Sequence, residues 1–408
     1  MGNSIRINHP SKKISAAIII PGSKSESNRL LIMNELSGKK IRIENLSSAD
    51  DTQELKRLLA SPFKILDVKN SGTSMRFLIA YYCVINKNKV ITGSHRMQHR
   101  PIGKLVDALR YIGFKIHYLQ NEGFPPVEII PAERTHLKYT VDVGADESSQ
   151  FISALLMIAP VFPDGLTIKL QNKIVSKSYI QMTLDLMKLC GIKNTWKKKE
   201  IRIDCQKYLP SVYHVGPDWS AASYWYSIIA LSQEGQMVLK GFKEKSMQGD
   251  QIITSWMKDF GVSTKYTEDG IILKKESEPL VNEMTFDFND CPDLAQTILV
   301  LAAAKNINLK IKGLKTLRIK ETDRIAALHK ELRKIGAQLI QHKTDFYELK
   351  PNWSYNGEKI ETYDDHRMAM SFVPIAMTGN IELSKPVVVS KSYPEFWEHL
   401  KNAGFEIK

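Results

Sequence analysis

Five stretches of the chain run in the same way: an amphipathic helical pattern ends at a glycine and passes straight into strand-like residues. They read VDALRYIGFKIHYL, LDLMKLCGIKNTW, ITSWMKDFGVSTKY, LHKELRKIGAQLI and FWEHLKNAGFEIK. Their glycines, Gly113, Gly191, Gly261, Gly336 and Gly404, stand 78, 70, 75 and 68 residues apart. The pattern predicts a helix that stops at glycine in the left-handed conformation, followed by a strand. An earlier stretch, DTQELKRLLAS, has the same amphipathic character with a different terminator and makes a sixth copy.

A second kind of helix alternates with the first. SNRLLIMNELS, TSMRFLIAYYCV, SSQFISALLMIAP, SAASYWYSIIALS, DLAQTILVLAAA and HRMAMSFVPIAM open on polar or small residues and then turn apolar on nearly every face. A helix without a wet face is buried on all sides, so its polar first turn opens onto a neighbour or a ligand. Six buried helices, six amphipathic ones and short strands between them predict repeated α/β units with the sheets outside and the buried helices inside.

At 408 residues the chain exceeds what one core ordinarily holds, so two groups of three units fit better than one ring of six. The segment YHVGPD, Tyr213 to Asp218, lies near the midpoint and reads as a crossing between the groups. The opening strand, Ile14 to Ile20, comes early enough to pair with either half.

Composition narrows the class. With 43% hydrophobic and 25% charged residues, the chain reads as globular, not disordered. Cys83, Cys190, Cys205 and Cys291 form no CxxC pair, which argues against a disulfide framework and a cysteine-built zinc site. No leader pattern is visible, Gly2 after Met1 matches an acylation start only superficially, and no window approaches 18 apolar residues. The cytosol is the default location.

The net charge of +13 allows nucleic-acid binding, but the basic residues are spread along the chain. The one dense run, Lys197-Lys198-Lys199, reads as a solvated turn before the strand that begins at Glu200. A site that attracts small, multiply anionic molecules is the other reading of this charge.

Polar helix starts favour that second reading. PGSKSESNR, Pro21 to Arg29, offers glycine, hydroxyls, Lys24 and Arg29 beside a helix N-terminus, without the GxxxxGK[ST] spacing of a P-loop. NSGTSMR, Asn70 to Arg76, repeats the idea, and HRMQHRP places Arg96 and Arg100 just before a helix opened by Pro101. DESSQ holds Ser148, Ser149 and Gln150, and SKSY holds Ser176 and Tyr179. RIKETDR supplies Lys320, Glu321 and Arg324, DDHR supplies His366 and Arg367, and Lys391 follows.

That many cations next to buried helices require anionic ligands or partner carboxylates. Neither HExxH nor GxSxG is present, so metalloprotease and serine-hydrolase readings fall away. Asp293 and Glu321 are the candidate general base and acid, although spacing alone does not bring them face to face.

These segments have a family resemblance. PGSKSESNR, NSGTSMR, RMQHRPIGKLVDALR, SSQFISALLMIAP, PDLAQT, KETDR and YDDHRMAM, in this order along essentially the whole chain, resemble the EPSP synthases, the 3-phosphoshikimate 1-carboxyvinyltransferases. The resemblance implies an inside-out, barrel-like α/β fold of two similar domains, each of three βαβαββ units with buried helices and outer sheets. It divides the chain into residues 1–20 with 217–408, and residues 21–216, with the active site in the cleft between the domains. The implied activity transfers the enolpyruvyl group of phosphoenolpyruvate to the 5-hydroxyl of shikimate 3-phosphate, releasing phosphate, in chorismate and aromatic amino-acid biosynthesis. A cytoplasmic monomer without a cofactor or metal is expected.

Roles transfer residue by residue on the same resemblance. Lys24, Ser25 and Arg29 match residues that hold shikimate 3-phosphate, and Ser148, Ser149 and Ser176 match hydroxyls around its phosphate, with Tyr179 nearby. Lys320 and Thr316 belong to the shikimate end, and Gln150 touches both substrates. Lys24, Gly72, Arg96, Arg324, His366, Arg367 and Lys391 match the phosphoenolpyruvate site. Asp293 matches the proton acceptor, which also holds shikimate 3-phosphate, and Glu321 the proton donor, with Lys24 a third catalytic residue.

Several positions depart from the family pattern. Thr316 stands where an asparagine is common, Phe77 where a proline is, and Ser74 where an alanine is; His95 and Trp219 also differ. The related UDP-N-acetylglucosamine 1-carboxyvinyltransferases are the nearest alternative, but they carry Lys-Asn in the first segment and a reactive cysteine in a mobile loop. Here Lys24-Ser25 stands in that segment, and no cysteine lies near RMQHRP. A basic nucleic-acid-binding or scaffold protein is the alternative from another class, and it lacks interleaved aromatics here.

Overall fold

A helix apolar on every face has to be wrapped by other elements, and the chain alternates such helices with two-faced ones throughout. The computed structural model describes residues 3–133, 136–279 and 281–408, so Met1 and Gly2 lie outside the described residues. In chain order the helices are α1 (Lys24–Leu36), α2 (Asp50–Leu59), α3 (Gly72–Val84), α4 (Gly103–Ile112), α5 (Ser149–Ile158) and α6 (Lys177–Leu189). The second half continues with α7 (Trp219–Leu231), α8 (Ile253–Asp259), α9 (Ala295–Ala304), α10 (Arg324–Lys334), α11 (His366–Phe372) and α12 (Phe396–Asn402). The odd-numbered helices are the buried ones: α3 and α7, each of 13 residues, bury 12 of them. α4, in contrast, buries Leu105, Val106, Ala108, Leu109 and Ile112 on one face and leaves the other wet.

The chain divides into two units, one of Met1–Gly22, Ser48–Asp50 and Gly216–Lys408, the other of Ser23–Ser47 and Asp51–Val215. Among the described residues each unit holds three sheets. In the second, strand Ile65–Asp67 runs through α3 to the parallel strand Lys89–Thr92, then through α4 to the antiparallel hairpin of Lys115–Tyr118 and Val127–Ile130. This is a complete βαβαββ unit.

The same plan recurs around α5, α7 and α9, giving four sheets in which one parallel pair is extended by two antiparallel strands. Two copies are abbreviated among the described residues: Ile41–Glu44 pairs with Ser211–His214, and Ser4–Asn8 lies between Ile381–Ser384 and Glu406–Ile407. The opening strand, Lys13–Ile19, pairs in parallel with Glu234–Lys240, which places it with the C-terminal half.

All five predicted terminator glycines have positive φ, from 75° at Gly336 to 126° at Gly113. At Gly261 the constraint is also steric, because a Cβ there would lie 1.8 Å from the Ser277 carbonyl oxygen. No other residue type ends that helix and lets the next strand start so close. The basic run is the turn of a hairpin between Thr195–Lys197 and Glu200–Ile203. Among the described residues no helix is long and apolar enough to cross a membrane.

Candidate active site

In each unit the polar first turns of the buried helices carry several of the candidate residues, and loops and the starts of amphipathic helices carry the rest. In the Ser23–Val215 unit, Ser23 caps α1 by accepting the Glu26 N–H, and Lys24 is the first helical residue. The Lys24 Nζ lies 3.2 Å from Asp51 Oδ2, with both side chains largely buried. One turn on, Arg29 is 2% exposed. Its Nε donates to Thr183 Oγ1 at 2.7 Å, Nη1 to the Ser25 carbonyl at 2.8 Å, and Nη2 to Ser153 Oγ at 3.2 Å and the Tyr179 carbonyl at 3.3 Å. The rings of Phe77 and Tyr179 lie 5.6 and 5.9 Å from its Cζ. Burial among neutral partners pulls the guanidinium down to about 10, against the opposing influence of Tyr179 and Glu26.

Ser71 caps α3, and Gly72 begins it. A Cβ on Gly72 would stand 2.6 Å from Arg76 Nη1 and 2.7 Å from Arg100 Nη2, so glycine is what lets two guanidiniums close over the helix start. Arg76 donates to the Gly72 carbonyl at 3.0 Å and the Pro101 carbonyl at 2.7 Å, and Arg100 to the Asn70 carbonyl at 3.4 Å. Arg96, the assigned residue, is half-buried and heads the short turn Met97–His99; it is Arg100 that packs on Gly72. Ser148 caps α5 by accepting the Gln150 N–H at 3.2 Å, with Ser149 buried behind it. Ser176 stands just before α6 at φ 53°, a left-handed conformation that few side chains tolerate.

The other unit gathers the carboxylates. Arg324, the first residue of α10 and 1% exposed, reaches three of them. Nε and Nη2 grip the Asp365 carboxylate at 2.7 and 3.2 Å, Nη2 also reaches Glu321 Oε2 at 3.0 Å, and Nη1 reaches Asp293 Oδ1 at 3.2 Å. The two candidate proton-transfer carboxylates, 28 residues apart in sequence, therefore share one guanidinium. Burial lowers the proton affinity of Arg324, but Asp365, Glu321 and Asp293 together raise it above the ordinary range.

Arg367 adds a second cation: its Nη2 lies 2.9 Å from Asp293 Oδ2 and its Nη1 3.3 Å from both Tyr224 Oη and the Asp293 carbonyl. Burial alone would raise the Asp293 pKa; Arg367, Lys320 and Arg324 overcome it and hold this carboxyl well below the usual range. Lys391 Nζ stands 3.9 Å from Glu321 Oε1. His366 is buried with Nδ1 3.5 Å from Asp365 Oδ1. Thr316 is buried in the turn Lys315–Ile319, and its Oγ1 has no hydrogen-bond partner among the described residues.

Sequence reasoning passed over several members of these clusters. Asp365 was visible as the N-cap before His366, a position it does occupy by accepting the Arg367 N–H at 2.9 Å. Asp51 sits in the first turn of an amphipathic helix, while Ser153 and Thr183 are hydroxyls inside helices; nothing local marks them as partners of Lys24 and Arg29.

The chemistry of both clusters is that of anion binding: helix N-termini, hydroxyls and guanidiniums, with two carboxylates sharing one guanidinium. The EPSP synthase (3-phosphoshikimate 1-carboxyvinyltransferase) family profile matches residues 53–400. The chain is 45% identical over 406 residues to the 3-phosphoshikimate 1-carboxyvinyltransferase of Bacteroides fragilis, covering 97% of each chain. It is 35% identical over 426 residues to that of Shewanella halifaxensis, covering 97% of this chain and 98% of the other. Among solved structures, the EPSP synthase from Acinetobacter baumannii superposes with a TM-score of 0.76 at 19% identity, covering 99% of this chain and 100% of that one, a likeness of fold. With the family pattern running through both clusters, the chain belongs to the EPSP synthase family of enolpyruvyl transferases.

Proposed function

We propose that the chain performs its family's transfer with phosphoenolpyruvate as donor and the 5-hydroxyl of shikimate 3-phosphate as acceptor, releasing phosphate. Family membership makes the chain a transferase of the 1-carboxyvinyl group in the shikimate pathway. Lys24, Ser25, Arg29, Ser148, Ser149, Gln150, Ser176, Tyr179, Asp293, Thr316 and Lys320 are assigned to the shikimate 3-phosphate, and Lys24, Gly72, Arg96, Gln150, Arg324, His366, Arg367 and Lys391 to phosphoenolpyruvate. In the reaction a proton adds to the methylene carbon of phosphoenolpyruvate while the 5-oxygen bonds to the adjacent carbon. The tetrahedral adduct then loses a methyl proton and phosphate, which restores the double bond as an enol ether. Glu321 is the donor of the first proton, and Asp293 accepts the hydroxyl proton.

The observation that carries this reading is the sharing of Arg324 by Asp293 and Glu321, with Arg367 and Lys391 alongside. While Arg367 and Arg324 hold it, Asp293 is a weak base. An incoming anion that draws the Arg367 charge onto itself raises the proton affinity of Asp293 at the moment a base is required. Basicity is thereby made conditional on substrate.

Phosphate release from phosphoenolpyruvate, measured with shikimate 3-phosphate and separately with UDP-N-acetylglucosamine, tests the assignment. Release with the first acceptor alone is expected; release with the second alone overturns it. The reading includes a cytoplasmic monomer, for which sedimentation equilibrium of the purified chain is the check.

A further inference from the structure

Two side chains of the loop leading into the turn Gly249–Ile252 reach the first turn of α7. Gln248 accepts the Trp219 N–H at 2.9 Å and donates to the Pro217 carbonyl at 2.9 Å. Asp250, 4% exposed, accepts the Ser220 hydroxyl through Oδ2, while its Oδ1 is buried without a hydrogen-bond partner among the described residues. Ser220 Oγ in turn accepts from Arg367 Nη2 at 3.4 Å, and the same Nη2 stands 2.9 Å from Asp293 Oδ2. A continuous line of contacts joins Asp250 to the candidate base through one hydroxyl and one guanidinium.

A buried carboxylate with one bare oxygen is a poor choice for merely fastening a loop, because a neutral side chain would hold Ser220 without the desolvation penalty. Its charge has a directional consequence. Ser220 has a single hydroxyl hydrogen. With Asp250 ionised, that hydrogen is committed to the carboxylate, so the Ser220 lone pairs face Arg367 and attract it. With Asp250 protonated, the acid donates to Ser220, whose own hydrogen turns away and toward Arg367.

We propose that Asp250 is a positioning residue for the transfer reaction, acting through Ser220 to hold Arg367 on Asp293 and to release it when an anion arrives. The inference rests on the assignment of Arg367 to phosphoenolpyruvate. The groups that face Asp250 are Asp293, Arg367, Asp218 and the Cys291 thiol. Burial first, then Asp293, pushes the Asp250 carboxyl up to about 7 against the opposing pull of Arg367 and Ser220. An anion on Arg367 cancels that pull, so Asp250 takes up a proton as phosphoenolpyruvate binds. Binding linked to proton uptake weakens as pH rises through neutrality.

The test compares wild type, Asp250→Asn and Ser220→Ala in steady-state phosphate release from pH 6 to 8, with each substrate varied in turn. Asparagine imitates the protonated acid at every pH. The ratio of the wild-type KM for phosphoenolpyruvate to that of Asp250→Asn is expected to climb from about 1 at pH 6 to about 10 at pH 8. The KM for shikimate 3-phosphate shows no such climb, which a general loosening of the fold would not reproduce. Ser220→Ala, a smaller change that keeps the inference testable if Asp250→Asn does not fold, flattens the same profile. A wild-type profile in either variant overturns the proposal and leaves the functional reading intact. A wild-type enzyme that releases no phosphate brings down the functional reading and this inference with it.

Discussion

Arg324 and Asp365 meet guanidinium to carboxylate at 2.7 and 3.2 Å, with side-chain exposures of 1% and 0%. Forty-one residues separate them in sequence. Asp365 is the internal counterion that keeps Arg324 in place whatever charge Asp293 and Glu321 carry. Asp365→Ala leaves this buried cation short of its closest partner and is expected to destabilise the fold by about 3–5 kcal/mol. Urea unfolding checks it, with the midpoint falling and the slope unchanged.

Asp293 and Glu321 hang from the same guanidinium, so each is replaceable by its amide with little change of shape. Asp293→Asn and Glu321→Gln are each expected to lower turnover by roughly 10²–10⁴-fold, the range for loss of a general acid or base. Rapid-quench measurement of the first turnover separates this from slow product release. Near-wild-type rates for both would strip the two residues of these roles.

The partly buried Asp293 and the buried Asp250, in one unit, give stability terms of opposite sign. Asp293 is depressed when folded, so the stability it contributes is present above an unfolded pKa of about 4 and disappears as pH falls below it. Asp250 is raised to about 7, so the folded form holds a proton that the unfolded chain has lost, and stability falls as pH climbs from about 4 to 7. Asp250→Asn should therefore be more stable than wild type at pH 8 and close to it at pH 4. Thermal melts across that range decide the matter.

Gly72 marks how tightly Arg76 and Arg100 close over the start of α3. In Gly72→Ala the new methyl group pushes back two buried, hydrogen-bonded guanidiniums, so stability should fall by about 1–3 kcal/mol. The KM for phosphoenolpyruvate should rise by about tenfold, as a charged hydrogen bond to the anion lengthens. An unchanged KM would detach this glycine from the donor site.

The alternation of buried and amphipathic helices was legible because a run such as SAASYWYSIIALS has no polar face at any helical phase. The glycine terminators were legible because only that residue fits a left-handed end pressed against carbonyls such as that of Ser277. Illegible were groups whose meaning is a partner distant in sequence. Ser153 and Thr183 look like ordinary helix hydroxyls until Arg29 is found between them, and Asp250 looks like a surface turn residue in MQGDQ. The two abbreviated sheets were hidden for the same reason: strand partners as far apart as Ser4 and Ser384 leave no local trace. Phe77, noted only as a departure from the family pattern, is fully buried with its ring beneath the Arg29 guanidinium.

Strand Ser4–Asn8 pairs with Ile381–Ser384 and Glu406–Ile407, and Lys13–Ile19 with Glu234–Lys240. During synthesis these two strands thus leave the ribosome long before their neighbours, while the sheets between residues 41 and 214 close among themselves. At about 5–20 residues per second, strand Ser4–Asn8 waits roughly 20–80 s with its edges bare. Chaperone demand should therefore rise as translation slows, and slowing the ribosome should lower the yield of this chain more than that of proteins whose strands pair with close neighbours in sequence.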